Sequence, residues 1–110
     1  MKDDRLYLIH IREALERIED YTRGGKQFFL DDHKTQDAVL RNLHTLAEST
    51  QRISQELRDK YAQVDWRTIA AFRNVIVHDY LGISLDQIWD IVEKDLPALK
   101  DNIVSILASL

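Results

Sequence analysis

At 110 residues the chain is long enough for one folded domain with a real core and too short for two, so residues 1–110 are expected to form a single helical domain. Its 45% hydrophobic and 31% charged residues are those of a folded chain in water, and the lack of cysteine excludes disulfides and thiolate metal sites. The net charge of −4 lacks the basic surplus of a general nucleic-acid binder, although it leaves room for a small enzyme that grips one phosphate in a local positive pocket.

No stretch approaches the ~18 consecutive apolar residues of a membrane span. Met1-Lys2-Asp3-Asp4-Arg5 leads straight into an amphipathic pattern, without the apolar core of a signal peptide. A cytoplasmic location with no membrane partner is expected. One proline and three glycines favour long helices over strands.

Leu8, Ile11, Leu15 and Ile18 recur at i, i+3, i+7 and i+10 between charged residues, which predicts an amphipathic helix from about Asp4 to Tyr21. Gly24-Gly25 closes it, and Phe28-Phe29-Leu30 reads as an apolar plug in the following connection. Val39, Leu43, Leu46, Ile53 and Leu57 keep one face of a long second helix, about Thr35 to Lys60, with Thr50 filling the gap. Asp65 is placed to cap a third helix. There Trp66, Ile69, Ala70, Phe72, Val75, Ile76 and Val77 put apolar residues on nearly every side. That pattern predicts a central, buried helix in which Arg73 and Asn74 are polar exceptions.

Gly82 breaks the pattern, and Ser84-Leu85-Asp86-Gln87 matches a capping box for a fourth helix carrying Leu85, Ile88, Trp89 and Val92. Asp95-Leu96-Pro97 interrupts or kinks it, after which Leu96, Leu99, Ile103, Ile106 and Leu110 repeat with helical spacing. The expectation is an all-α, antiparallel bundle of four long helices, or five where the last is divided.

The residues with chemistry to offer are Arg73-Asn74-Val75-Ile76-Val77-His78-Asp79-Tyr80. They combine a permanent cation, a group that titrates near neutrality and a phenol. Such a set can act on a phosphodiester without a metal or cofactor: the arginine holds the non-bridging oxygens, and the histidine moves a proton to or from the reacting oxygens. Each residue also has a plainer reading. A salt bridge to a carboxylate accounts for Arg73, packing at a helix end for Tyr80, and a loop or capping carboxylate for Asp79 in place of a charge that tunes His78.

On helical spacing Asn74 and His78 share a face, whereas Arg73 and His78 stand roughly 140° apart about the axis. They converge where the helix ends near His78, where the arginine bends across, or where a second protomer supplies the other half. His10, His33 and His44 have no zinc-ligand spacing, and Asp31-Asp32-His33 reads as a solvated loop, so no metal site is expected.

The motif Arg73-Asn74-x-x-x-His78-x-Tyr80 resembles the Arg-x-x-x-x-His-x-Tyr signature of the HEPN superfamily, specifically the HepT-like toxins of two-gene toxin–antitoxin systems. The likeness extends to the Asp65-Trp66 helix start and the Asp95-Leu96-Pro97 segment. It implies a HEPN helical bundle working as a homodimer, with a metal-independent endoribonuclease cleft between the protomers and RNA as substrate. Arg73 and His78 would be the catalytic pair and Asn74 its polar companion. It further implies a cognate MNT-type nucleotidyltransferase antitoxin that silences the toxin by transferring AMP to Tyr80. A function of another class fits the same residues: a non-catalytic helical module that docks a nucleotidyltransferase and offers Tyr80 as nucleotide acceptor.

Overall fold

Leu8, Ile11, Leu15 and Ile18 all lie buried on one face of α1 (Lys2–Tyr21) in the computed structural model. It describes residues 2–77 and 84–110, with the backbone alone at positions 2 and 75–77. The same logic builds α3 (His33–Gln51), which buries Val39, Leu43, Leu46 and Thr50 against α1. Thr50 tolerates that interior position because its hydroxyl donates to the Leu46 carbonyl at 2.8 Å. Asp4, at the start of α1, meets Ser54, just past the end of α3, so the two helices run antiparallel.

The connection between them is itself partly helical. Gly25 takes a φ of +90°, which an L side chain rarely adopts, and opens the short α2 (Lys26–Asp31). Of the three apolar residues expected to plug the bundle, Phe29 alone is fully buried, 5.6 Å from the Trp89 ring centroid. Phe28 is half-exposed. A helix presents adjacent residues to different sides, and only one side of α2 faces the core.

The long second helix divides in two. α3 stops at Gln51, and α4 (Gln55–Lys60) restarts behind Ser54, whose hydroxyl accepts from the Leu57 N–H at 3.2 Å. Asp4 fixes the break by accepting from the Ser54 N–H at 2.8 Å and from its hydroxyl at 2.6 Å. Arg58 Nη2 reaches back to the Thr50 carbonyl at 2.8 Å, which also accepts from the Ile53 N–H at 3.2 Å where the helix ends.

α5 (Trp66–Val77) begins on the predicted cap: Thr68 donates to Asp65 through its N–H at 3.1 Å and its hydroxyl at 2.6 Å. It doubles back along α4 and α3. Trp66 Nε1 donates to the Tyr61 carbonyl, while Arg73, further along, meets Gln51 and Glu48. The expectation of a central helix is not met. Trp66, Ile69 and Phe72 are buried, but Arg67, Thr68, Ala71, Arg73 and Asn74 are exposed. The inner pair is α1 and α3; α5 flanks it on the α3 side, leaving between itself and the C-terminal helix a cleft of about 240 Å³ lined by Ile69, Phe72, Leu99 and Asn102.

Ser84 caps α6 (Leu85–Asp90), its hydroxyl accepting from the Asp86 N–H at 3.1 Å. The rod continues through a π-helical turn, Ile91–Asp95, into α7 (Leu96–Ser109). The predicted interruption at Asp95-Leu96-Pro97 is this wider turn: the Leu96 N–H reaches the Ile91 carbonyl five residues back, and Pro97 sits in the first turn of α7, where its missing N–H costs least. Lys100 ties α7 to α1 by a 2.6 Å bond to Glu19. α1, α3, α5 and the α6–α7 rod are thus the long members of an all-α bundle with α2 and α4 as short additions, as the apolar periodicity predicts. None of the described helices is long and apolar enough to cross a membrane.

Candidate functional site

Arg73 projects from the last turns of α5 toward the flank of α3. Its Nε lies 3.2 Å from Glu48 Oε1, and its Nη1 donates to Gln51 Oε1 at 3.1 Å. The plainer reading of Arg73, a salt bridge to a carboxylate, describes this contact, but the premise of burial does not hold: the side chain is 47% exposed and that of Glu48 34%. An exposed ion pair contributes about 0–1 kcal/mol to stability, a net value already reduced by the side-chain entropy it costs. The contact therefore does more to orient the guanidinium than to hold the fold. Among the described residues, Nη2 of Arg73 has no partner.

The same Glu48 Oε1 also lies 3.9 Å from His44 Nε2. His44, Glu48 and Gln51 fall at i, i+4 and i+7, one stripe of α3 beside its buried face. Reading the chain by motif weighs His44 only as a metal ligand and passes over Glu48 and Gln51. The signal that finds them is the register of α3: once Leu43, Leu46 and Thr50 are inside, this polar stripe must face whatever helix lies alongside.

Asn74 is exposed on α5 next to Arg73. His78, Asp79 and Tyr80 lie outside the described residues, as do Gly82 and the side chains of Val75, Ile76 and Val77. The structure therefore positions the first half of the predicted constellation and adds a carboxylate and an amide that the sequence pattern did not include. The far end of the same helix is anchored by Asp65. The Thr68 hydroxyl, and after it the Thr68 N–H, holds the Asp65 carboxyl below the usual carboxylate range, so the cap is ionised at neutral pH.

The family model described as HepT-like ribonuclease matches residues 11–106 of this chain. Among curated proteins, the chain is 36% identical over 110 residues to a Methanocaldococcus jannaschii protein named as a gamma-glutamylcyclotransferase and, provisionally, an RNase; the match covers 99% of this chain and 50% of that protein. The chain thus spans about half of that relative's length. It is 38% identical over 97 residues to another protein of that organism, provisionally named an RNase, covering 87% of this chain and 80% of the relative. A Thermococcus cleftensis protein, provisionally named a ribonuclease HepT, is 37% identical over 95 residues, with 86% of each chain covered. No solved structure matches the chain significantly.

Proposed function

The chain belongs to the HepT-like ribonuclease family of the HEPN superfamily, and from that premise we propose that it is a metal-independent endoribonuclease, the toxin of a toxin–antitoxin pair. The reaction is attack by the RNA 2′-hydroxyl on the adjacent phosphorus. The O2′–P bond forms, the P–O5′ bond breaks, and the products carry a 2′,3′-cyclic phosphate and a 5′-hydroxyl. Arg73 binds the non-bridging oxygens and stabilises the charge that builds on them in the transition state. His78 takes the 2′-hydroxyl proton or delivers one to the departing 5′-oxygen. Asn74 orients the imidazole or the phosphate, and Asp79 tunes His78 by its charge. Two protomers form the cleft.

Control comes from a cognate MNT-type nucleotidyltransferase antitoxin. The Tyr80 phenol oxygen attacks the α-phosphorus of ATP, pyrophosphate leaves, and the AMP ester places a bulky anion beside the cleft that repels RNA phosphate. The observation that carries the reading is the position of Arg73, half-exposed on α5 and five residues ahead of His78 in a chain of this family.

The test sets purified, unmodified protein and a folded His78→Ala variant on total cellular RNA in excess EDTA. Cleavage by the wild type alone, leaving cyclic or 3′-phosphate ends, is the expected result. Equal RNA survival with both proteins would favour the docking module. In that case intact-mass analysis after incubation with ATP and the nucleotidyltransferase, with Tyr80→Phe as control, should still show one AMP adduct.

A further inference from the structure

Two side chains of α3 stand where they can decide what Arg73 does. We infer that Glu48 and Gln51 are positioning residues for the ribonuclease reaction, gripping the Arg73 guanidinium so that its Nη2 donors are presented to the RNA phosphate. The inference rests on the reading of Arg73 as the phosphate-binding group.

A guanidinium is a rigid planar fork, and one contact leaves it free to swing about that contact. Two contacts on two different nitrogens restrict its plane: an ion pair of Glu48 Oε1 with Nε at 3.2 Å and a hydrogen bond from Nη1 to Gln51 Oε1 at 3.1 Å. Both acceptors come from one rigid helix, three residues apart, so they move as a unit. The nitrogen left without a partner among the described residues, Nη2, is the one available to a ligand. The grip has a cost in affinity, because the Glu48 carboxylate offsets the charge that attracts phosphate. Orientation and charge therefore pull kcat and KM in different directions, which separates positioning from a role in folding alone.

Glu48→Gln keeps the size and reach of the side chain but removes the negative charge of the ion pair. Its kcat should fall, by less than in Glu48→Ala, while KM for RNA also falls because the charge opposing phosphate is gone. Glu48→Ala removes the grip, and kcat should fall about tenfold or more, as misplacement of a catalytic group by about an ångström does. Gln51→Ala should fall less, and the double alanine variant should approach Arg73→Ala.

All variants are compared per folded molecule, by circular dichroism and melting temperature. A double alanine variant with unchanged or raised kcat, alongside an inactive Arg73→Ala, would overturn the inference and make Glu48 inert or a brake. Should the alanine variant not fold, a Glu48→Gln variant with kcat at or above the wild-type value would overturn it as well. An Arg73→Ala protein with full activity is a different failure: it removes Arg73 from the reaction altogether.

Discussion

An arginine on a helix surface is ordinarily unremarked, yet Arg73 keeps two protein acceptors and a free edge while almost half exposed. Its identity, rather than its charge alone, should then matter. Lysine offers a point charge on a flexible stem and cannot span Glu48 and Gln51 while reaching a third group. Arg73→Lys is expected to lose at least about tenfold in kcat, with stability changed by no more than about 0.5 kcal/mol; RNA cleavage and thermal unfolding on one preparation check both. At the other end of α5 the cap sets a pH dependence. Because the Asp65 carboxyl is depressed in the folded chain, its contribution is present above the unfolded value of 3.8 and is lost as pH falls through the folded value. Asp65→Asn should therefore be less stable than wild type near neutrality, with the difference narrowing below pH 3.8 in urea unfolding series. A difference that stays constant across that range would mean that the carboxylate charge is not what the cap depends on.

At the scale of elements, the break between α3 and α4 is the feature on which the lower end of the bundle turns. Asp4 is 3% exposed, and its carboxylate receives both the N–H and the hydroxyl of Ser54. Asp4→Ala strips both donors of that acceptor and should cost about 1–3 kcal/mol, read as a lower denaturant midpoint; unchanged stability would show that water replaces the carboxylate there. No local pattern announces this contact, since Asp4 and Ser54 are 50 residues apart. Periodicity could not reveal the break either, because Thr50, Ile53 and Leu57 are buried before, within and after it. The caps at Asp65 and Ser84 were legible, because they act on N–H groups two or three residues ahead, whereas Asp32, in a segment read as a solvated loop, caps α3 by accepting from the Thr35 N–H and hydroxyl. The π-turn was half legible: Pro97 gives its position, but the widening depends on how Leu96 docks. For α5, counting apolar residues says how much surface seeks cover but not how many neighbours provide it. Trp66, Ile69 and Phe72 find partners, while among the described residues Arg73 meets the polar stripe of α3.

At the scale of the whole molecule, the question is how a chain of net charge −4 concentrates cations on RNA. One protomer offers a single Arg73, and ideal helical spacing would set a histidine five residues on roughly 140° around the axis. Two protomers related by a two-fold axis resolve both problems, because one cleft then gathers two arginines, and the arginine of one copy can face the histidine of the other. That arrangement makes a prediction that a single-protomer site does not. Arg73→Ala and His78→Ala proteins, each inactive alone, are mixed in equal amounts and allowed to exchange subunits. Half of the dimers become mixed, and each mixed dimer holds one cleft with an intact arginine from one copy and an intact histidine from the other. Activity should recover to about a quarter of the wild-type value. Were each site built within one protomer, every site in the mixture would lack a residue and activity would stay at background. Exchange is verified by mass spectrometry of isotopically distinct protomers, so that failure to mix is not mistaken for failure to complement.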